Sequence, residues 1–238
     1  MSVLFVGDPH LKAHRILPRV ERVVDDHRVG EVVFLGDMCD DWDATARQAV
    51  EDVELFARWT LGQRAAGLKV TALAGNHDLP YLAAPRTPLF WRYKRQADGF
   101  KPRAHERIHR ALTAVKPVAA WRSGRVVLAT HAGVTGAWAA WVGLGDGPER
   151  ALNAMLEANP WPLFDMAGPA RGGDCIPSPL WADGSELEAD PWGGWLQVVG
   201  HTPVPTVTNA GPSWFCDTYT DGDGTMLLMD GEAFRIVR

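Results

Sequence analysis

Asp8 and His10, Asp37 and Asp40, Asn76 and His77, His131, and His201 are the residues of this chain whose types and spacing could do chemistry. Each group closes a short apolar run, and Asp8, Asp37, Asn76 and His201 each follow a glycine. Carboxylates and imidazoles suit Zn, Fe or Mn, and the amide oxygen of Asn76 shifts the preference toward harder ions such as Mn. Gathered at one sheet edge, these groups could neutralise most of the charge of two divalent ions. The plain alternative for each is a turn at a strand end, since Gly, Asp and Asn are favoured turn residues. Turns alone do not require five such groups in order.

The surrounding pattern supplies elements that could position them. Ser2 to Val6, Val32 to Leu35 and Val70 to Ala74 read as buried strands. Between them, helical spacing runs from about Ala13 to His27, and Asp43 is placed to cap a second helix through Ala46, Val50, Val53 and Phe56. Strand, helix, strand, helix, strand predicts an α/β fold with a parallel sheet, whose ligands sit beyond the strands' carboxyl ends. Val126 to Ala129 and Leu196 to Val199 are two further runs, with His131 and His201 just beyond them. A helix is expected near Glu149 to Ala158, then a long irregular Pro-, Gly- and Trp-rich stretch from Pro160 to Gly194, of the kind that is usually functional. Trp214 to Val237 reads as antiparallel strands joined by Asp221-Gly222-Asp223-Gly224 and Asp230-Gly231 turns.

Composition narrows the class. The chain has 238 residues, 46% hydrophobic and 22% charged, with a net charge of −5, so it reads as one globular domain over 1–238. No apolar run approaches the roughly 18 residues of a membrane span, and Met1 to Val6 lacks the features of a secretory signal. Cys39, Cys175 and Cys216 form no paired spacing, so a reducing cytoplasm is the expected setting.

The ordered set Asp8-Pro9-His10, Gly36-Asp37-Met38-Cys39-Asp40, Gly75-Asn76-His77-Asp78, Thr130-His131-Ala132-Gly133 and Gly200-His201-Thr202-Pro203 resembles the motifs of the calcineurin-like metallophosphoesterases. The resemblance implies a four-layer α-β-β-α sandwich of two mixed sheets carrying a dinuclear metal centre. It implies that Asp8, His10 and a shared Asp37 hold one ion, and that Asp37, Asn76, His131 and His201 hold the other. Mn is expected first, with Fe, Zn, Co or Ni as alternatives. Two such ions would activate a bridging hydroxide for in-line attack on phosphorus. His77 would be the proton donor or a phosphate ligand, oriented by Asp40.

Three features depart from the family pattern. Pro203 stands where many relatives carry a further histidine ligand. The His131 and His201 motifs look more like those of phosphoprotein phosphatases and symmetrical diadenosine tetraphosphatases, which carry an arginine where this chain has Asp41. Leu180-Trp181-Ala182-Asp183 is similar to a stretch in the phosphoprotein branch. Arg171 is then the candidate for gripping phosphate, against the plain reading of a solvated arginine. Residues 86–110 hold eight basic residues (Arg86, Arg92, Lys94, Arg95, Lys101, Arg103, Arg107, Arg110) against Asp98 and Glu106. That stretch suits an anionic substrate or a plain solvated face. Two motifs are expected to be decoys. His105-Glu106-Arg107-Ile108-His109 imitates a zinc-peptidase helix but is expected to be an exposed amphipathic helix. Asp221 to Glu232 imitates a calcium loop but has Met226 where glycine is needed, and reads as a hairpin turn.

The expectation is therefore a metal-dependent phosphohydrolase acting on a phosphomonoester or nucleotide polyphosphate, with a phosphorylated small molecule, nucleotide or phosphoprotein as partner. The alternative is a nuclease acting on DNA. A non-catalytic scaffold with the same fold is the third reading.

Overall fold

Alternation along the first strand sets the layers. In β1 (Ser2–Val6), Val3 and Phe5 point to one face and Leu4 and Val6 to the other, and both faces are buried. A strand buried on both sides must lie inside a stack. The computed structural model describes residues 2–97, 99–124 and 126–238, with the side chains of Arg95 and Gln96 outside the description.

After β1 the chain runs through α1 (Ala13–His27), β2 (Glu31–Phe34), α2 (Ala46–Ala65), β3 (Lys69–Ala72), α3 (Leu79–Leu82), α4 (Pro88–Gln96) and α5 (His105–Val115). It continues with β4 (Ala120–Ser123), β5 (Val127–Thr130), α6 (Gly136–Val142), α7 (Pro148–Ala158), α8 (Trp161–Phe164), a 3-10 turn (Pro169–Arg171) and α9 (Gly184–Ala189). The last elements are β6 (Leu196–Pro203), β7 (Thr208–Ala210), β8 (Ser213–Asp217), β9 (Met226–Asp230) and β10 (Ala233–Val237).

These strands form two five-stranded mixed sheets, ordered β10-β9-β1-β2-β3 and β4-β5-β6-β8-β7. Val3, Phe5, Val33, Leu35 and Leu73 of the first face Val127, Ala129, Val198 and Cys216 of the second, forming the inner core. The outer face of the first sheet packs on α1, α2 and α5 through Ile16, Val20, Val53, Phe56, Ile108 and Leu112. Leu128 and Ala120, on the outer side of the second, meet Trp138, Leu152, Leu163 and Phe164 of α6, α7 and α8. The result is the four-layer α-β-β-α sandwich.

Three local expectations need correction. Thr45, not Asp43, caps α2, because its hydroxyl accepts from the Gln48 amide at 3.2 Å while the Gln48 side chain accepts from the Thr45 amide at 2.8 Å. Asp221 to Gly224 does not join a hairpin: β8 belongs to the second sheet and β9 to the first, so this turn carries the chain between sheets. Asp230-Gly231 does close the antiparallel β9–β10 hairpin. Thirdly, the five strand ends do not share one sheet edge. Those after β1, β2 and β3 belong to the first sheet; those at β5 and β6 belong to the second.

Candidate metal centre

The parallel strands β1, β2 and β3, and the parallel pair β5 and β6, bring these termini together at one end of the sandwich. Unusual backbone is needed to turn the side chains inward. His10, Asp37, Asp40 and His201 all have positive φ, between 39° and 64°. Non-glycine residues in that region cost on the order of 1–3 kcal/mol each and persist where surrounding contacts over-determine them. Two glycines are required for close approach. A Cβ on Gly75 would collide with the Asp37 carboxylate, and one on Gly200 with that of Asp8. Asp78 ties the loops together, its carboxylate accepting from the Cys39 amide at 3.0 Å and the Gly75 amide at 2.9 Å.

The side chains of Asp8, His10 and Asp37 form one cluster, and those of Asp37, His131 and His201 a second, with potential ligand atoms in each within 4.8 Å of one another. Asp37 is common to both. Its Oδ2 lies 3.6 Å from His10 Nε2 and 3.4 Å from His131 Nε2. Both rings are oriented from behind: His10 Nδ1 lies 2.8 Å from the Asp40 carbonyl and His131 Nδ1 2.8 Å from the Leu35 carbonyl. A carbonyl can only accept, so each Nδ1 carries a proton, and each ring turns its Nε2 toward the centre. His131 Nε2 also faces Asn76 Oδ1 at 2.9 Å and His201 Nδ1 at 3.1 Å. Asp8 Oδ2 accepts from the His201 amide at 2.8 Å. Its Oδ1, like His201 Nε2, is buried with no hydrogen-bond partner among the described residues. Acceptors converging on acceptors, with orphaned buried atoms among them, fit divalent cations.

Electrostatics point the same way. Asp8, Asp37, Asp40, Asp78 and Asp217 are each no more than 2% exposed, and burying unpaired carboxylates is expensive. Burial, reinforced by the charges of Asp217 and Asp37, pushes the Asp8 carboxyl well above its ordinary range. Burial and the charge of Asp37 push Asp78 up to about 7. At Asp37 the effect of burial is outweighed by His131 and His77, and its carboxyl stays well below the usual range. Burial and the neighbouring His131 hold His201 well below an ordinary imidazole.

His77 and Asp40 stand beside the cluster. The His77 amide donates to Asp37 Oδ1 at 2.9 Å, while its Nδ1 lies 3.6 Å from Asp40 Oδ2. That is an ion-pair distance and longer than a formed hydrogen bond. The other Asp40 oxygen accepts from the Tyr81 hydroxyl at 2.6 Å. Burial would lower the imidazole of His77, but Asp37 and then Asp40 outweigh it and raise it to about 9.

A cavity of about 230 Å³ opens over these residues, lined by His10, Asp37, Asn76, His77 and His201 together with Trp42, Arg171, Trp181, Pro203 and Asp217. Arg171 is half-buried there. Its Nη2 donates to the His201 carbonyl at 3.3 Å and to Thr202 Oγ1 at 3.2 Å, and its Nε pairs with Asp183 at 3.0 Å. Asp217 and Trp42 were missed by motif reading. Asp217 is the register partner of Pro203 across β6 and β8, and its carboxylate accepts from the Thr220 hydroxyl at 3.0 Å. The departure at Pro203 was the signal that could have led to it, once strand pairing was known.

The sequence profile described as calcineurin-like phosphoesterase matches residues 1–226. The chain belongs to that family. It is a metal-dependent phosphoester hydrolase. Solved structures agree on the fold. A cold-active protein-tyrosine phosphatase of a psychrophilic Shewanella species aligns with a TM-score of 0.61 at 16% identity, over 100% of this chain and 80% of that one. A protein serine/threonine phosphatase from Saccharomyces cerevisiae aligns at 0.54 and 14%, over 100% and 79%. A protein assigned as a diadenosine tetraphosphatase aligns at 0.51 and 15%, over 99% and 92%. No curated protein matches the chain.

Other sequence features of this phosphoesterase lie elsewhere. The His105–His109 helix is not simply an exposed amphipathic helix. His105 is buried, its Nε2 3.1 Å from the Ala83 carbonyl, and His109 Nδ1 is 2.8 Å from the Tyr81 carbonyl. Both rings thus satisfy carbonyls at the end of α3, while Glu106 points to solvent. The basic 86–110 stretch is partly neutralised. Arg92 pairs with Asp165 at 2.9 Å, Arg107 binds Glu54 through two nitrogens at 2.7 and 2.9 Å, and the Lys101 ammonium donates to the Asp41 and Gly99 carbonyls. The Arg95 side chain and Asp98 lie outside the described residues. Among the described residues no helix is long and apolar enough to cross a membrane.

Proposed function

We propose that this chain is a single-domain phosphatase with two divalent ions, one held by Asp8, His10 and Asp37 and the other by Asp37, Asn76, His131 and His201. The observation that carries this reading is the position of Asp37 Oδ2 between the Nε2 atoms of His10 and His131. Carboxylates, imidazoles and one amide oxygen favour Mn, with Fe, Zn, Co or Ni as alternatives. When bound, such ions supply Lewis acidity toward phosphoryl oxygens and lower the pKa of a coordinated water.

The chain's own residues do the rest. Arg171, anchored by Asp183 and by the His201 carbonyl, offers its remaining N–H donors to phosphate from the cavity wall. It fills the role that Asp41 cannot. His77 delivers a proton to the leaving oxygen, and Asp40 holds that proton on the ring. Asp217 compensates for Pro203 by presenting a carboxylate beside Asp8, at a position suited to accepting hydrogen bonds from water around the first ion. The free thiols, with Cys39 and Cys216 buried, suit a reducing cytoplasm.

A nuclease acting on DNA draws less support, because Arg92, Lys101 and Arg107 already have partners. The test is a screen of the Mn-loaded protein against phosphomonoesters, a phosphodiester, diadenosine tetraphosphate, phosphopeptides and single-stranded DNA, with metal counted by elemental analysis. Turnover of monoesters or nucleotides, with two ions per chain, is expected. Turnover of DNA alone, or metal without turnover, would overturn the phosphatase reading.

A further inference from the structure

Trp42 is 61% exposed, yet it stands at the chemical site. Its indole meets the His77 ring edge-on, with centroids 5.4 Å apart and planes at 76°, and lies 6.1 Å from the His10 ring. The turn carrying it is pinned. The Asp41 carbonyl accepts from Lys101 Nζ at 2.8 Å and from the Ala44 amide at 3.1 Å, and the Asp43 amide donates to Asp41 Oδ1 at 3.2 Å. An exposed indole fixed over a polar cavity leaves apolar surface in water, and aromatic faces recognise other flat rings. Ala97, Trp181 and Pro203 extend the apolar lining of the same cavity.

We infer that Trp42 is a platform for the leaving group, and that the preferred substrates are aryl phosphomonoesters with the ring joined directly to the ester oxygen. This rests on the phosphatase reading above. Reach favours a direct linkage. With His77 at the ester oxygen and Trp42 one ring contact away, an aryl group on that oxygen falls against the indole. A base carried beyond a ribose passes it. Charge favours a single phosphate, because Asp41 and Asp43 flank Trp42 in the sequence and line, with His14, Glu51 and Asp52, a separate cavity of about 480 Å³ in which Asp52 pairs with His14 and Glu51 with Arg47. A second phosphate on that side would meet carboxylates. In the reaction, water oxygen bonds to phosphorus, the P–O(aryl) bond breaks, and its electron pair leaves on the phenolic oxygen, which takes a proton from His77, while the proton the water gives up restores His77 by way of solvent.

The experiment compares Mn-loaded wild type, Trp42→Phe and Trp42→Ala on phosphotyrosine, phosphoserine and 5′-AMP. Competitive inhibition by phenylphosphonate and methylphosphonate adds a measure of binding without turnover. Stacking of the size seen for aromatic pairs predicts that Trp42→Ala lowers the preference for phosphotyrosine over phosphoserine about three- to tenfold, mainly through KM. Trp42→Phe should keep part of it. The Ki of phenylphosphonate should rise by a similar factor relative to that of methylphosphonate. Equal losses on both substrates, no change, or a loss confined to 5′-AMP would overturn the inference while leaving the phosphatase reading intact. A wild type that hydrolyses no phosphoester would remove that reading, and this inference with it.

Discussion

Replacing Asp40 by Asn should produce a defect whose size depends on pH, and the structure sets its scale. The His77 imidazole is raised to about 9 from an ordinary 6.5. Asp37 is the larger cause of that raise and Asp40, 3.6 Å from the ring, the next, so Asp40→Asn removes part of it. An imidazole at about 9 is about 90% protonated at pH 8, whereas one at about 6.5 is about 3% protonated there. Because Asp37 remains, Asp40→Asn carries His77 only part of the way back, so turnover limited by the acid falls by several-fold, and less than the limit of about thirtyfold, at pH 8 and by less than about twofold at pH 6. The sign follows from the raised pKa: the acid is present below it and lost as pH rises through it. His77→Gln should lose about 10²–10⁴-fold in kcat at either pH. It should keep its metal, since His77 contacts Asp37 through the backbone amide. The assay is kcat against pH for an alkyl phosphate and for p-nitrophenyl phosphate, whose leaving group needs no proton. Both losses should shrink for the nitrophenyl ester. A defect in Asp40→Asn that is the same at pH 6 and pH 8, or the same for both esters, would refute acid catalysis by His77 and leave it as a phosphate contact.

Three further outcomes are expected. Asp37→Asn should lower metal content and activity together, and Asp217→Asn should weaken binding of one of the two ions about 10–100-fold by calorimetry, while the exposed Glu232→Gln changes neither. Full occupancy in Asp37→Asn would exclude its shared role. Chelation should lower the melting temperature by about 5–10 °C, because an ion at a hundred times its Kd contributes about 2.7 kcal/mol and each kcal/mol shifts a chain of this size about 2–4 °C; an unchanged transition would count against metal in the buried carboxylate cluster. The double change His105→Ala with His109→Ala should cost about 2–3 kcal/mol of stability by orphaning two carbonyls, yet leave metal content intact. Burial holds His105 below an ordinary imidazole, so its contribution to stability is lost as pH falls from about 6.5, and the variant should show a flatter acid limb. Loss of metal from that variant, with retention in His131→Ala, would instead establish the peptidase-type site.

The sequence by itself determined the chemistry that could be assembled and most of the elements that carry it. α1 begins and ends where its apolar spacing does, and Gly-Asp or Gly-Asn after an apolar run marks a strand end because both signals are local. The sandwich itself was legible from the motif resemblance and not from periodicity. What periodicity could not supply was strand pairing, which is set by contacts between residues distant in sequence. Tertiary structure therefore decided that the five strand ends divide between two sheets, and that Asp221 to Gly224 crosses between them. It also decided that Asp217 lies beside Pro203, since register across β6 and β8 is a property of the pair and of neither strand alone. The same holds for His105 and His109. Their spacing fixes one helix face, but only the packing of α3 above it turns that face toward backbone carbonyls and away from a metal. Trp42 belongs with them, because an isolated tryptophan between two aspartates gives no local sign of standing over His77.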